Sequence, residues 1–172
     1  MKLLVFSDNH RDRESLDLLL KECQEMDRII SLGDSEMREE ELSERNVIGV
    51  KGNYPFEPNF PDDLIFIFDD WKFLFTHGHK YGVKMGLYRL VEVSNAHDID
   101  VVCFGHTHRA ILEEIDDLIC MNPGSLTFPK GTFLPTYAII ETKANKISLE
   151  IRDLKTHKTL LSLFKTRRSH DY

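Results

Sequence analysis

A chain of 172 residues with 41% apolar and 30% charged content has the composition of a globular protein, long enough to bury ~70% of its unfolded surface in one domain over 1–172. Its net charge of −7 argues against a protein built to grip extended nucleic acid, and no apolar run approaches the ~18 residues of a membrane span. Ser7 and Asp8 turn the N-terminus polar too soon for a secretory leader, and Cys23, Cys103 and Cys120 are widely spaced with no CxxC pair. The cysteines read as buried hydrophobes in a reducing compartment, so a cytoplasmic protein is expected.

In chain order, strand and helix signals alternate. Residues 2–7 form an apolar strand ending in Asp8-Asn9-His10. Asp12 is placed to cap a helix whose Leu16, Leu19, Leu20 and Cys23 recur at i, i+3, i+4 and i+7, one buried stripe. Residues 28–32 form a second strand ending in Gly33-Asp34, and Ser35 is placed to cap a short acidic helix to about Arg45. A third strand, 46–50, ends in Lys51-Gly52-Asn53. The segment from Tyr54 to Pro61 holds Pro55, Pro58 and Pro61 and cannot be regular. Its Phe56 and Phe60 form either an apolar wall for a nucleobase or aryl group, or a plug between layers. Residues 64–68 and 71–75 pair across Asp69-Asp70, and the second strand runs into Thr76-His77-Gly78-His79.

Val83, Leu87, Leu90 and Val91 mark an amphipathic helix to about His97. The apolar run 101–104 is a short buried strand that ends in Gly105-His106-Thr107-His108. Hairpins 110–115/118–121 and 136–141/146–151 follow, separated by a Gly/Pro loop at 122–135. From about residue 152, Arg152, Lys155, Lys158, Lys165, Arg167 and Arg168 outweigh Asp153 and Asp171, which predicts a solvated basic tail. Exposed hairpin edges and residues 160–164 are the candidate surfaces for a homodimer. A βαβ-like first half and a hairpin-rich second half predict two mixed β-sheets with helices outside them.

Five times an apolar strand gives way to ligand-type residues: Asp8/His10, Asp34, Asn53, His77 and His106/His108. Parallel strands deliver such residues to one edge of a sheet. On extended backbone, His106 and His108 would share a face and point at one spot. Two carboxylates, one amide and four imidazoles, with no thiolate, suit Mn²⁺, Fe, Zn²⁺, Co²⁺ or Ni²⁺ rather than Ca²⁺. Seven ligands exceed one ion's needs; with Asp34 bridging they suit two ions roughly 3.5–4 Å apart. Two divalent cations, two aspartates and a bridging hydroxide leave one positive charge, which matches a phosphodiester, or a phosphomonoester helped by nearby cations. Water on such ions ionises near neutral pH, so no separate base is required.

These blocks (D-x-H, G-D, G-N, H and G-H-x-H, in order from Leu3 to about Ser125) resemble the calcineurin-like metallophosphoesterases, and most closely the small bacterial phosphodiesterases of the YfcE type. Asn122-Pro123-Gly124-Ser125 is similar to a loop of that subgroup. The resemblance implies a four-layer α/β/β/α sandwich and a dinuclear, commonly Mn²⁺-activated centre. It assigns Asp8, His10 and His108 to one ion and Asn53, His77 and His106 to the other, with Asp34 bridging. Where many relatives carry His after Gly-Asn, this chain has Tyr54-Pro55. Proton delivery is then expected to be weak, or to fall to Tyr54 or His79, which favours substrates with good leaving groups. Arg109 is a candidate for phosphate contact, and Lys80 and Tyr81 for lining the pocket. The expected activity is hydrolysis of a small phosphodiester. The alternatives are a phosphomonoesterase, a nuclease like the family's double-strand-break repair enzyme, or a non-catalytic scaffold like the retromer subunit of this fold.

Overall fold

The computed structural model describes residues 1–131 and 134–167. Its first sheet contains β1 (Lys2–Phe6), β2 (Arg28–Ser31), β3 (Val47–Gly49), β9 (Thr136–Lys143), β10 (Lys146–Asp153) and β11 (Thr159–Thr166), in the order β11-β10-β9-β1-β2-β3. The second contains β4 (Asp63–Phe68), β5 (Trp71–Thr76), β6 (Val101–Cys103), β7 (Ala110–Ile115) and β8 (Leu118–Pro123), in the order β4-β5-β6-β8-β7. Both are mixed. β1, β2 and β3 run parallel, as do β5, β6 and β8, while hairpin partners flank them antiparallel.

The layering follows from which face each apolar residue occupies. Leu3, Val5, Ile30 and Leu32 of the first sheet meet Phe73, Phe75, Val101 and Cys103 of the second in a buried inter-sheet core. The alternate residues Leu4 and Phe6 point outward and are covered by Leu16 and Leu19 of α1 (Arg13–Glu22) and Leu42 of α2 (Glu39–Glu44). Leu74 and Val102 are covered on the other side by Leu90 of α3 (Tyr88–Ala96). The result is a four-layer α/β/β/α sandwich. Among the described residues no helix is long and apolar enough to cross a membrane.

Asp12 caps α1, its carboxylate accepting from the Ser15 N–H at 2.9 Å. Three expectations are corrected. Ser35 does not open α2: its hydroxyl accepts from the Met37 N–H at 3.3 Å, and the left-handed backbone of Asp34 and Glu36 delays the helix to Glu39. Helix α3 begins at Tyr88 rather than Val83, because Gly82 and Gly86 both adopt positive φ; Val83 still packs in the outer core from the loop. The solvated basic tail is not observed up to Arg167. Residues 159–166 are edge strand β11, with Leu163 packed on the inter-sheet core, Lys165 paired to Glu114 and Asp117, and Arg167 stacked over Trp71 and paired to Asp100. Arg168 and Asp171 lie outside the described residues. Leu160, Leu161 and Phe164 of the homodimer candidate are exposed on this edge.

Candidate metal centre

The ends of β1, β2, β5 and β6 bring their following loops to one edge of the sandwich. Asp8, His10 and His108 form one group, and Asp34, His77 and His106 a second; within each, one ligand atom per residue lies within 4.8 Å of the others. Asn53 joins the second group, its Oδ1 lying 3.0 Å from His77 Nε2.

Each aspartate uses one oxygen for the scaffold and turns the other inward. Asp8 Oδ2 accepts from the Ser7 hydroxyl and the His106 N–H, whereas Oδ1 is buried without a donor, 3.2 Å from His108 Nε2. Asp34 Oδ1 accepts from the N–H groups of Asn53 and Tyr54 at 2.9 and 3.2 Å, and Oδ2 faces His77 Nε2 at 3.4 Å. Close approach requires glycine here. A Cβ on Gly52 would lie 2.0 Å from Asp34 Oδ1, and one on Gly105 2.0 Å from Ser7 Oγ.

The imidazoles follow the same rule. Nδ1 of His10 faces the Glu36 carboxylate at 2.8 Å, Nδ1 of His77 faces the Leu32 carbonyl at 2.7 Å, and Nδ1 of His108 faces the Phe128 carbonyl at 2.8 Å. These acceptors hold the ring proton on Nδ1 and leave Nε2 as a lone pair directed into the cluster. Nε2 of His10 and of His108 then face each other at 3.2 Å, and His77 Nε2 faces His106 Nδ1 at 3.2 Å. At His10 and His108 two lone pairs oppose one another and repel unless a cation lies between them. The donor set, oxygen and nitrogen without sulfur, fits hard to borderline divalent metals.

Electrostatics agree. Burial alone would raise the Asp34 pKa, but the His77 imidazole beside it and the Tyr54 amide outweigh that and hold it at about 2. His106 is pushed down to about 4 by burial and by His77, so it stays a neutral ligand.

Residues 1–145 match the calcineurin-like phosphoesterase superfamily domain. The chain belongs to that superfamily. This phosphoesterase is 32% identical over 169 residues to the probable metallophosphoesterase YsnB of Bacillus subtilis, covering 93% of this chain and 100% of that one. A Streptococcus pneumoniae structure described as a predicted phosphoesterase superposes with a TM-score of 0.83 at 25% identity, covering 96% of this chain and 97% of its own. The structure of YfcE, a phosphoesterase from Escherichia coli, shares the fold with a TM-score of 0.72 at 21% identity, covering 95% and 98%.

The extended-backbone reading of His106 and His108 is corrected. Both have left-handed φ, 68° and 58°, so the alternation of side chains on a strand does not apply. His106 turns to His77 and His108 to His10.

His79 lies on a single 3₁₀ turn, His79–Tyr81, with its ring centroid 5.4 Å from that of His77. Tyr54 follows Asn53, and its hydroxyl accepts from Arg11. Lys80 pairs with Asp62, and the Tyr81 hydroxyl donates to Asp63 at 2.7 Å. Arg109 follows His108; its backbone bridges to Lys130, and its Nη1 lies 3.9 Å from where a Cβ on Gly131 would stand. Phe60 packs into the helix-side core while Phe56 is 81% exposed, so the two readings of that segment divide between them.

Sequence reasoning missed four residues that the phosphoesterase uses to build this edge. Glu36 orients His10 and lies 3.4 Å from Arg11 Nε. Glu57 accepts from the N–H groups of Gly52 and Glu36, both at 3.2 Å, tying two ligand loops together; burial raises its pKa. Phe128 holds His108 through its carbonyl. Arg11 adjoins His10, Glu36 lies two residues after Asp34 and Glu57 four after Asn53, whereas Phe128 lies 20 residues from His108. Because Glu36 fixes the His10 tautomer, Glu36→Gln is expected to weaken divalent-metal affinity about 10–100-fold, read by calorimetric titration. Unchanged affinity would show that the contact does not orient the ring.

Proposed function

We propose that this phosphoesterase hydrolyses small phosphodiesters with two divalent cations, one held by Asp8, His10 and His108, the other by Asn53, His77 and His106, with Asp34 shared. The observation that carries this reading is the convergence of ligand-type oxygen and nitrogen atoms in two groups, with Asp8 Oδ1 buried among them and met by no hydrogen-bond donor. Mn²⁺ is the expected activator, with Zn²⁺, Fe, Co²⁺ and Ni²⁺ as alternatives of the same donor preference. Such cations, when bound, act as Lewis acids toward phosphoryl oxygens and let water ionise near neutral pH.

The chain's own residues do the rest. Asp34 contributes its inward oxygen as a carboxylate, because its two backbone donors fix the other one. Glu36, Leu32 and Phe128 accept from Nδ1 of His10, His77 and His108 and aim their Nε2 atoms into the cluster. His79 is held below the ordinary histidine pKa by burial and by His77, so at neutral pH it is a weak proton donor. The Tyr54 hydroxyl, held by Arg11, is the other donor near Asn53. With no strong acid, good leaving groups are favoured. Arg11 is offset by Glu36, and Lys80 by Asp62, so the charge left at the centre matches a monoanionic diester better than a dianionic monoester. Three free, buried cysteines are in keeping with a cytoplasmic enzyme.

The test strips metal with chelator, restores Mn²⁺, and compares bis(p-nitrophenyl) phosphate with p-nitrophenyl phosphate. Turnover should return, and the diester should be the better substrate. A faster monoester would assign a phosphatase; no turnover under any of the five metals would assign a binding scaffold.

A further inference from the structure

One exposed ring beside the ligand cluster is carried on a fixed backbone. Phe128 lies on the loop after β8, and its N–H donates to Ser125 Oγ at 2.9 Å while its carbonyl accepts from His108 Nδ1 at 2.8 Å. Its ring centroid is 5.5 Å from that of His10, yet 58% of the residue remains open to solvent. Ser125 in turn donates to the Asp8 carbonyl at 2.7 Å, so the loop is tied to the ligands at both ends. An apolar ring carried on a fixed backbone next to the ligands is a contact surface whose backbone ordering entropy is already spent.

The other side of the cluster has a matching feature. The Tyr54 ring is steadied by Arg11, whose guanidinium lies 5.6 Å from its centroid, and by Phe56, edge-on at 5.8 Å. Tyr54 walls a cleft of about 580 Å³ that also takes in Asn53, Pro55, Pro58, His79 and Lys80. That volume is in the range of small-ligand sites. A phosphodiester has two arms, and each ligand group therefore has an aromatic surface beside it. Aliphatic residues would serve an acyl or alkyl arm equally well; exposed conjugated rings select for flat conjugated partners.

We propose, on the reading given above, that the substrate is a nucleotidyl phosphodiester whose base stacks on Phe128 while its other arm enters the Tyr54 cleft. A long nucleic acid is disfavoured. Of the cations nearest the cleft, Arg11 is paired with Glu36 and Lys51 and Lys80 share Asp62, which leaves about one uncompensated charge, too little for a chain of phosphates.

The test is calorimetric titration of the Mn²⁺-loaded protein with adenosine 5′-monophosphate, phenyl phosphate and methyl phosphate. Stacking of one base on one ring predicts that the nucleotide binds about tenfold more tightly than methyl phosphate. Phe128→Leu, which keeps the backbone contacts and an apolar side chain, should bring the two affinities to within about twofold, and Phe128→Tyr should preserve the gap. Phenyl phosphate binding as tightly as the nucleotide would overturn the nucleobase assignment in favour of a general aryl group. Equal binding of nucleotide and methyl phosphate, a gap that survives Phe128→Leu, or no binding by any of the three would overturn the proposal outright. Because binding is read rather than turnover, the result stands apart from the hydrolysis test: diester turnover without a base preference would sink this inference alone.

Discussion

Asp34→Asn is expected to lower kcat/KM for a phosphodiester by about 10³-fold while leaving the fold intact. The two halves of that statement rest on different oxygens. Oδ1 accepts from the amides of Asn53 and Tyr54, and an asparagine carbonyl can do the same. The NH₂ group would then replace Oδ2, 3.4 Å from His77 Nε2, and present a donor where the cluster needs an anion. A cation pair would lose the shared charge and gain a repelling dipole. Steady-state kinetics at saturating Mn²⁺, with circular dichroism to check the fold, decides the matter. Activity within tenfold of wild type would show that Asp34 is not shared between metals.

The second large effect is on stability. A cation bound only by the folded state stabilises it by about 2.7 kcal/mol at a hundredfold excess over Kd, so two sites supply about 5 kcal/mol. In a domain of this length each kcal/mol is worth about 2–4 °C, which predicts a rise in Tm of about 10–20 °C on adding Mn²⁺. Asp8→Asn should abolish about half of that rise and, in the metal-free protein, should match or exceed wild type. Wild-type Asp8 buries a carboxylate oxygen that no donor meets, and an amide NH₂ in its place could donate to His108 Nε2. The comparison belongs at pH 8. The Asp8 carboxylate raises the His108 pKa against the opposing effect of burial, so below that raised value a protonated His108 pairs with Asp8 and steadies the metal-free protein. That contribution is complete below the unfolded histidine value and fades as pH rises through the folded one. Differential scanning calorimetry with and without Mn²⁺ reads both variants. An equal metal-induced rise in wild type and Asp8→Asn would contradict the assignment.

The ligand residues were legible because each marks the same event, an apolar strand stopping at a loop. β1 ends before Asp8, β2 before Asp34, β5 before His77 and β6 before His106. Parallel pairing puts the ends of β1 and β2 on one edge of the first sheet and those of β5 and β6 on one edge of the second. The face-to-face core of the two sheets brings the edges together. What governs the pairing of ligands was hidden, because left-handed φ at His106 and His108 overrides the alternation that a strand would impose. Strand β11 was missed for a similar reason. Its Leu160-Leu161 pair and its charges at Lys165 and Arg167 blur the alternation, and only pairing with β10 and burial of Leu163 reveal it. Glu36, Glu57 and Phe128 carry no side-chain pattern of their own; Glu36 acts on His10 and Glu57 on the Glu36 amide, both far away in the chain, and Phe128 acts through a backbone carbonyl.

The claim beneath all of this is met head-on by an anomalous difference map from a crystal of the protein grown with Mn²⁺. Two peaks are predicted, one enclosed by Asp8, His10 and His108 and the other by Asn53, His77 and His106, with density from Asp34 reaching both. A map with no peak at this edge of the sandwich, or with a single ion that leaves either group empty, would contradict it.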